Sequence, residues 1–110
     1  MAKISSIVLL GASGKDYLFH VWDTEHPHEN VAAVYAITRR YQDDAGTPNH
    51  RVLYIGQTDN LSTEFDNHPK ADCLSLHQAN SVCTYFDDNV DSRQAVEQDL
   101  IKYYNPVCMG

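Results

Sequence analysis

The stretch VLYIGQTDNLSTEFDNH, residues 52–68, combines three local signals. Its apolar start predicts a strand, Gly56 and the polar residues after it predict a turn, and residues 60–68 are typical of a short helix. The helix carries an acidic residue, Glu64, and His68 follows four positions later. This strand–turn–helix unit is the starting point for locating the other elements of the chain.

The rest of the chain predicts further short strands and helices. Strands are expected at residues 4–10, 17–22, 31–40, 51–57 and 81–86, and helices at 60–68, 70–78 and 91–104. The glycine-containing turn after the first strand predicts a hairpin. Residues 41–50 have no periodic apolar pattern and predict a long loop, whose flanking strands should pair antiparallel. A D-x-x-Q pattern at residues 91–94 predicts the start of the last helix.

These elements predict one α/β (α+β) domain over residues 1–110. A small mixed or antiparallel sheet is flanked by helices. The N-terminal hairpin region, residues 1–30, is added to a core of residues 31–109. The length of 110 residues suits a single hydrophobic core.

Net charge limits the partners of this chain. The formal charge is −7, and phosphate contacts with cations supply most non-specific affinity for nucleic acids. The acidity therefore weighs against DNA as a partner without excluding a local basic patch. Candidate nucleic-acid-binding cations are Arg39, Arg40, Arg51 and Lys70. The three arginines flank the predicted long loop and are also explained as solvated strand ends.

Cysteine usage and the N-terminus predict the compartment. Cys73, Cys83 and Cys108 form neither an even set nor a C-x-x-C motif, so we expect free thiols in a reducing compartment. The apolar run at residues 7–10 is too short for a signal sequence or a membrane span. A soluble, cytoplasmic protein with no membrane partner is expected.

The segment GASGK, residues 11–15, resembles part of a phosphate-binding loop. That loop needs four residues between its glycines and a serine or threonine after its lysine. Here two residues separate the glycines, and Asp16 follows the lysine. A hairpin turn is the simpler interpretation, and no nucleotide site is expected.

Two histidines and two cysteines are candidate zinc ligands, but their spacing argues against a zinc site. His68, Cys73, His77 and Cys83 are separated by four, three and five residues, which matches no standard finger or ribbon. We therefore expect polar surface histidines and small buried thiols instead of a metal site. His26 and His28 lie in a polar loop and are expected to be exposed.

Four sequence segments occur in an order known from one nuclease family. They are AVY at 33–35, YIG at 54–56, QTDNL at 57–61 and AVEQDLIKYYNP at 95–106. Over residues 31–109 the chain resembles the GIY-YIG nuclease family. The two triplets, the Q-T-x-x-L turn and the glutamate-bearing helix match the order of the family's motifs.

The resemblance implies a phosphodiester-cleaving site. Tyr35 and Tyr54 match the family's tyrosines, one taking a proton from the attacking water and the other orienting the water or the phosphate. Gly56 matches the family's glycine. Glu97 matches the glutamate that holds a divalent ion, Mg²⁺ or Mn²⁺, which stabilises charge on the phosphate.

Two positions depart from the family pattern. Glu64 stands where the family has an arginine that clamps the phosphate. Met109 stands where the family has an asparagine, and Asn105 is four residues too early to replace it. Glu64 thus places a charge of the wrong sign at the clamp, which predicts a degenerate and weakly active or inactive site. His68 is included in the candidate site beside Glu64.

Three functions stay open from the sequence. The first is a GIY-YIG-like domain with a degenerate site that binds nucleic acid or protein. The second is an active Mg²⁺-dependent DNA endonuclease in which Arg39, Arg40 or Lys70 replaces the clamp. The third is a purely structural or interaction protein, in which the tyrosines are sheet aromatics and Glu64 and His68 form an ordinary surface pair.

Overall fold

A computed structural model describes residues 3–109, which contain five strands and three helices. The strands are β1 Ser5–Leu10, β2 Asp16–Asp23, β3 Ala33–Gln42, β4 Pro48–Thr58 and β5 Ser81–Phe86, and the helices are α1 Leu61–Glu64, α2 Ala71–Leu76 and α3 Val90–Tyr104. All strand pairs are antiparallel, in the order β1-β2-β5-β3-β4. The predicted α+β class, the N-terminal hairpin and the β3–β4 pairing are confirmed.

The β3–β4 connection is much shorter than predicted. The strands stay paired as far as Gln42 and Pro48, so the long loop expected at 41–50 is wrong. The turn is closed by the Asp43 carboxylate, which accepts hydrogen bonds from backbone N–H groups within it, and Gly46 adopts a φ of +79°. The strand ends here are exposed and polar, so no apolar alternation marks them in the sequence.

Helices cover both faces of the sheet. Alternate residues of β3 enter two separate apolar clusters, as the two-residue period of a strand requires. Val34 and Ala36 pack in a cluster with residues of α3. Tyr35 lies in the other cluster, together with Leu61 of α1 and Leu74 of α2. The strand–turn–helix unit therefore closes the face of the sheet opposite α3.

The helix boundaries differ from the predicted ones. Helices α1 and α2 are shorter than expected, and Asn67 and Gln78 after them adopt positive φ angles that interrupt a helix. Helix α3 is capped by Asn89, whose side chain accepts from the Ser92 N–H, so the predicted cap at Asp91 is wrong. No helix within residues 3–109 combines the length and apolar character needed to span a bilayer.

Two cysteines are bonded to each other. Cys73 of α2 and Cys108 form a disulfide across 35 residues, so the prediction of free thiols is wrong for both. The C-terminal segment returns to β4, where the Cys108 N–H donates to the Leu53 carbonyl, and this return is what brings Cys108 to α2. Cys83 is free and buried. The expectation of a reducing compartment therefore loses most of its basis.

The N-terminal hairpin is joined to α3 through one carboxylate. Asp99 accepts hydrogen bonds from the Ser13 N–H at 2.8 Å, the Ser13 hydroxyl at 2.7 Å and the Tyr17 hydroxyl at 2.8 Å. These bonds hold the pKa of Asp99 below its usual range, chiefly through the Ser13 hydroxyl. The hairpin is thus part of the sheet through β2–β5 pairing and is also tied to a helix.

We expect Asp99→Ala to release the β1–β2 turn from α3. The three donors lose their shared acceptor, so the melting temperature should fall and amide exchange at residues 11–17 should accelerate. Hydrogen exchange and thermal unfolding measure both effects. Gln98→Ala is the matched control, because Gln98 is an exposed neighbour on the same helix. Unchanged exchange at residues 11–17 in Asp99→Ala would show that the carboxylate does not hold the turn.

Candidate functional site

The centre of the candidate site is the hydroxyl of Tyr35. This side chain is only 1% exposed, so the phenol is enclosed by the protein. Its hydroxyl donates to Glu64 Oε2 at 2.7 Å and lies 3.1 Å from Nε2 of His68. Strand β3 thus supplies the phenol, and α1 with the segment after it supplies both polar partners.

The hydrogen bonds of His68 fix the direction of this network. The Lys70 N–H donates to His68 Nδ1 at 3.1 Å, so Nδ1 is an acceptor and a neutral ring carries its proton on Nε2. Nε2–H then donates to the Tyr35 oxygen, and the Tyr35 hydroxyl donates to Glu64. His68 is 8% exposed. Glu64 and His68 are therefore not the ordinary surface pair that was one alternative.

Tyr54 and Gly56 complete the wall around the Tyr35 ring. A bulge in β4 leaves Leu53 without a partner on β3 and pairs Tyr54 with Ile37 and Gly56 with Tyr35. The rings of Tyr35 and Tyr54 stack at 5.9 Å between centroids. A Cβ on Gly56 would lie 2.8 Å from Cζ and Oη of Tyr35. Only glycine at position 56 leaves room for the phenol.

Burial and negative charge keep both tyrosines protonated. The pKa of Tyr35 is raised well above its usual value, first by burial and then by the hydrogen bond and charge of Glu64. Burial also raises the pKa of Tyr54, and the charges of Glu64 and Glu97 add to the rise. At neutral pH the site therefore holds two phenols beside carboxylates. Such phenols are poor acceptors of a further proton.

Glu97 lies outside this network. It belongs to α3, which packs on the other face of the sheet, but its charge reaches Tyr54 on the edge strand β4. Burial raises the pKa of Glu97, which opposes the ionised form that a metal needs. Across residues 3–109, no group of three metal-ligating side chains includes Glu97. A divalent ion there fits only a site completed by the phosphates of a substrate.

Arg93 is a buried charge that the sequence analysis missed. It is 4% exposed and donates to Gln57 Oε1 at 2.9 Å and to the Asp87 carbonyl at 3.0 Å. The available signal was its position three residues before Val96 and seven before Leu100, which places it on the buried face of α3. Its bonds fix the end of β4 against α3 and leave its guanidinium committed to the protein.

The predicted nucleic-acid-binding arginines are not at Tyr35. Arg39 and Arg51 lie opposite each other on β3 and β4, and Arg40 contacts Ser81 on the neighbouring strand β5. Position 39 is about 13 Å along β3 from Tyr35 at the usual rise of a strand. Of the four predicted cations, Lys70 contacts the network, through its backbone N–H to His68.

Met109 lies beside the strand that carries Tyr54. Its Sδ is 3.5 Å from the backbone nitrogen of Ile55. The preceding residue bonds to Leu53, so the C-terminal segment follows β4 through the bulge. Position 109 is therefore next to the candidate site, where a thioether offers only a weak acceptor.

A second aromatic group surrounds Trp22. The His26 ring stacks on the Trp22 indole at 4.4 Å, and the His28 ring meets the indole edge. His26 and His28 are half-buried, so the prediction that they are exposed is wrong. Within the described part of the chain, His26 Nδ1 and His28 Nε2 are buried without a hydrogen-bond partner. They border a cavity of about 410 Å³.

Known proteins give no direct guide to this arrangement. No protein-family model, no curated protein and no solved structure matches the chain. Its function is therefore inferred from the side chains that the fold brings together.

We expect His68 to resist protonation. Burial lowers its pKa below 6.5 and outweighs the opposing charge of Glu64; protonation of Nδ1 would also break the bond from the Lys70 N–H. The unfolded chain then binds a proton at His68 more tightly than the folded chain does. The stability that the neutral His68 contributes is therefore complete above pH 6.5 and is lost as the pH falls. NMR titration should give a pKa below that of an unfolded histidine. The loss of stability between about pH 7.5 and pH 5 should shrink in His68→Gln. A titration at or above 6.5 would contradict the assigned directions of these hydrogen bonds.

Proposed function

We propose that this chain is a GIY-YIG nuclease-like domain that has lost efficient phosphodiester cleavage and acts as a binding module. The observation that carries the proposal is the hydrogen bond from the Tyr35 hydroxyl to Glu64 Oε2. The sequence motifs supply the resemblance, and the hydrogen-bond network supplies the argument against catalysis.

Proton transfer is the first obstacle to cleavage. A tyrosine that takes a proton from water must reach the water and be a competent base. The Tyr35 hydroxyl is buried between Glu64 and His68, and its raised pKa disfavours the phenolate. Tyr54 is more exposed than Tyr35, but its pKa is also raised. Neither group is an effective general base at neutral pH.

Electrostatics is the second obstacle. A phosphate and its pentacovalent transition state need cations, and Glu64 presents an anion where the family pattern has an arginine. Losing one such donor typically costs about 3–4 kcal/mol of transition-state stabilisation, and about 1.4 kcal/mol corresponds to a factor of ten in rate. The missing clamp alone thus predicts a rate lower by about two to three orders of magnitude.

Charge also favours a protein over DNA as the partner. The net charge of −7 repels a polyanion, and the arginines that face each other on β3 and β4 are far from Tyr35. We infer a protein partner. A nucleic acid bound along Arg39 and Arg51 is the second candidate, which the direct opposition of these two cations across the strands favours.

An active endonuclease is the competing function. It is favoured by the close approach of Gly56 to Tyr35 and the stacked Tyr54 ring, which hold the matched residues of the family pattern together. In that case Glu97 would hold Mg²⁺ or Mn²⁺, which would stabilise negative charge on the phosphate.

A plasmid-nicking assay tests the proposal. With Mg²⁺ or Mn²⁺ present, we expect the purified protein to nick no faster than the Glu97→Ala variant, because the proton acceptor and the clamp are both missing. Gln98→Ala, changed at the next position of α3, controls for handling and contamination. Cleavage that is abolished by both Tyr35→Phe and Glu97→Ala would overturn the proposal and establish the endonuclease.

Restoring the family residues should restore affinity. Glu64→Arg with Met109→Asn changes the charge at position 64 by two units and returns an amide beside β4. We expect tighter DNA binding at low salt, a gain that shrinks as salt rises, and measurable metal-dependent nicking. Glu64→Arg alone should raise affinity more than Met109→Asn alone. Because Tyr35 loses its acceptor, circular dichroism must first show that the variants are folded. A folded double variant with unchanged affinity would show that position 64 does not face bound phosphate.

A further inference from the structure

Three soft or borderline metal ligands meet at the base of α2. Cys73 and His77 are four residues apart, with the His77 N–H bonded to the Cys73 carbonyl at the helix end. Cys108 reaches them from the C-terminal segment. The Sγ atoms of Cys73 and Cys108 and a ring nitrogen of His77 all lie within 4.8 Å of one another. The sequence did not reveal the group, because Cys108 is distant in the chain and Cys83 is the cysteine that follows His77.

Two thiolates and one imidazole are a ligand set that zinc accepts. Zinc binds sulfur at about 2.3 Å and nitrogen at about 2.0 Å in tetrahedral geometry, so its ligand atoms lie about 3.5–3.8 Å apart. The two sulfurs, about 2 Å apart in a disulfide, must therefore separate by about 1.7 Å after reduction, and the imidazole must approach by about 1 Å, to enclose the ion. Within residues 3–109, the His77 ring has no hydrogen-bond partner, which leaves its nitrogens available to a metal.

The backbone holds these residues together without the disulfide. The Cys108 N–H donates to the Leu53 carbonyl at 2.9 Å, and Cys108 belongs to the apolar cluster that contains Leu74 of α2. Reduction removes the covalent link but not these contacts. The two cysteines should therefore stay close enough to act as ligands of one ion.

We propose that Cys73, His77 and Cys108 form a zinc site when the Cys73–Cys108 disulfide is reduced. A dithiol reductant supplies two electrons and two protons, becoming a disulfide while the protein disulfide becomes two thiols. Zn²⁺ then binds both sulfurs as two protons leave, and an imidazole nitrogen of His77 donates its lone pair. Water fills the fourth position. Oxidation excludes the ion, because the thiolate and not the disulfide sulfur is the ligand.

The partial exposure of the group supports a reversible change. Cys73 and His77 are half-buried, so a small reductant and a hydrated ion have access from solvent. Cys108 is 1% exposed, so the protein shields its sulfur from solvent and an ion must approach from the side of Cys73 and His77. The site does not depend on the proposed function at Tyr35, since none of its three ligands contacts that hydroxyl within the described residues.

Metal binding by the reduced and oxidised 110-residue chain tests the proposal. In the Cys83→Ala background, which removes the third thiol, we expect the reduced protein to bind one equivalent of Zn²⁺ in competition with a chromophoric chelator. The oxidised protein should bind none. Reduced protein with Co²⁺ should show thiolate-to-cobalt charge-transfer absorption, and Zn²⁺ should displace it.

Single variants establish the ligands. Cys108→Ser and His77→Ala should each weaken zinc binding by at least about tenfold, since even indirect support of a metal ligand commonly contributes that much. His20→Ala is the control for a histidine outside the group. Circular dichroism of the reduced, metal-free proteins checks folding. Reduced, folded protein that binds no zinc, or binding that His77→Ala leaves unchanged, would overturn the proposal and leave a structural disulfide only.

Discussion

A buried phenol hydroxyl sets the main constraint on this molecule. Tyr35 is 1% exposed on a central strand, and a buried hydroxyl without a partner costs about 1–3 kcal/mol. The sheet cannot supply that partner, because its backbone groups are committed to the neighbouring strands. Glu64 and His68 supply it from outside the sheet. The position of α1 and of the segment after it is therefore fixed by a side chain of β3.

Several local features follow from the same constraint. Gly56 must lack a Cβ to let the phenol approach β4, and the bulge places Leu53 on the same side of the sheet as Tyr54 and Tyr35. Asn60 starts α1 by accepting from the Ser62 N–H, which aims Glu64 back at Tyr35. A strand, a glycine and a capped short helix thus cooperate to satisfy one oxygen. Changing the charge at position 64 alters the fold's hydrogen bonding as well as its surface.

The sequence predicted the architecture better than the site. Apolar alternation and turn residues located all five strands, because these signals are local. The polar end of the β3–β4 hairpin was missed, since exposed strand ends carry no alternation. The motifs selected Tyr35, Tyr54, Gly56 and Glu64, and His68 was added because it follows Glu64 by four residues. The structure brings all five together. Their hydrogen-bond directions, the burial of Arg93 and the Cys73–Cys108 pair depend on contacts between distant segments, which a single sequence does not contain.

Glu64 has a structural role, because it is the acceptor for the buried Tyr35 hydroxyl. An arginine at position 64 could not accept a hydrogen bond from the phenol, because a guanidinium has only donors. Its charge would be available to a ligand. The glutamate accepts a hydrogen bond from the Tyr35 hydroxyl, with 2.7 Å between the two oxygens, so its charge is directed into the protein and the phenol is held neutral. Each effect reinforces the other, since only the neutral phenol carries the proton that forms the hydrogen bond to the carboxylate. The carboxylate that satisfies the buried hydroxyl is also a negative charge close to Tyr54. The residue that stabilises the packing of α1 on β3 therefore also disfavours a bound anion at this place.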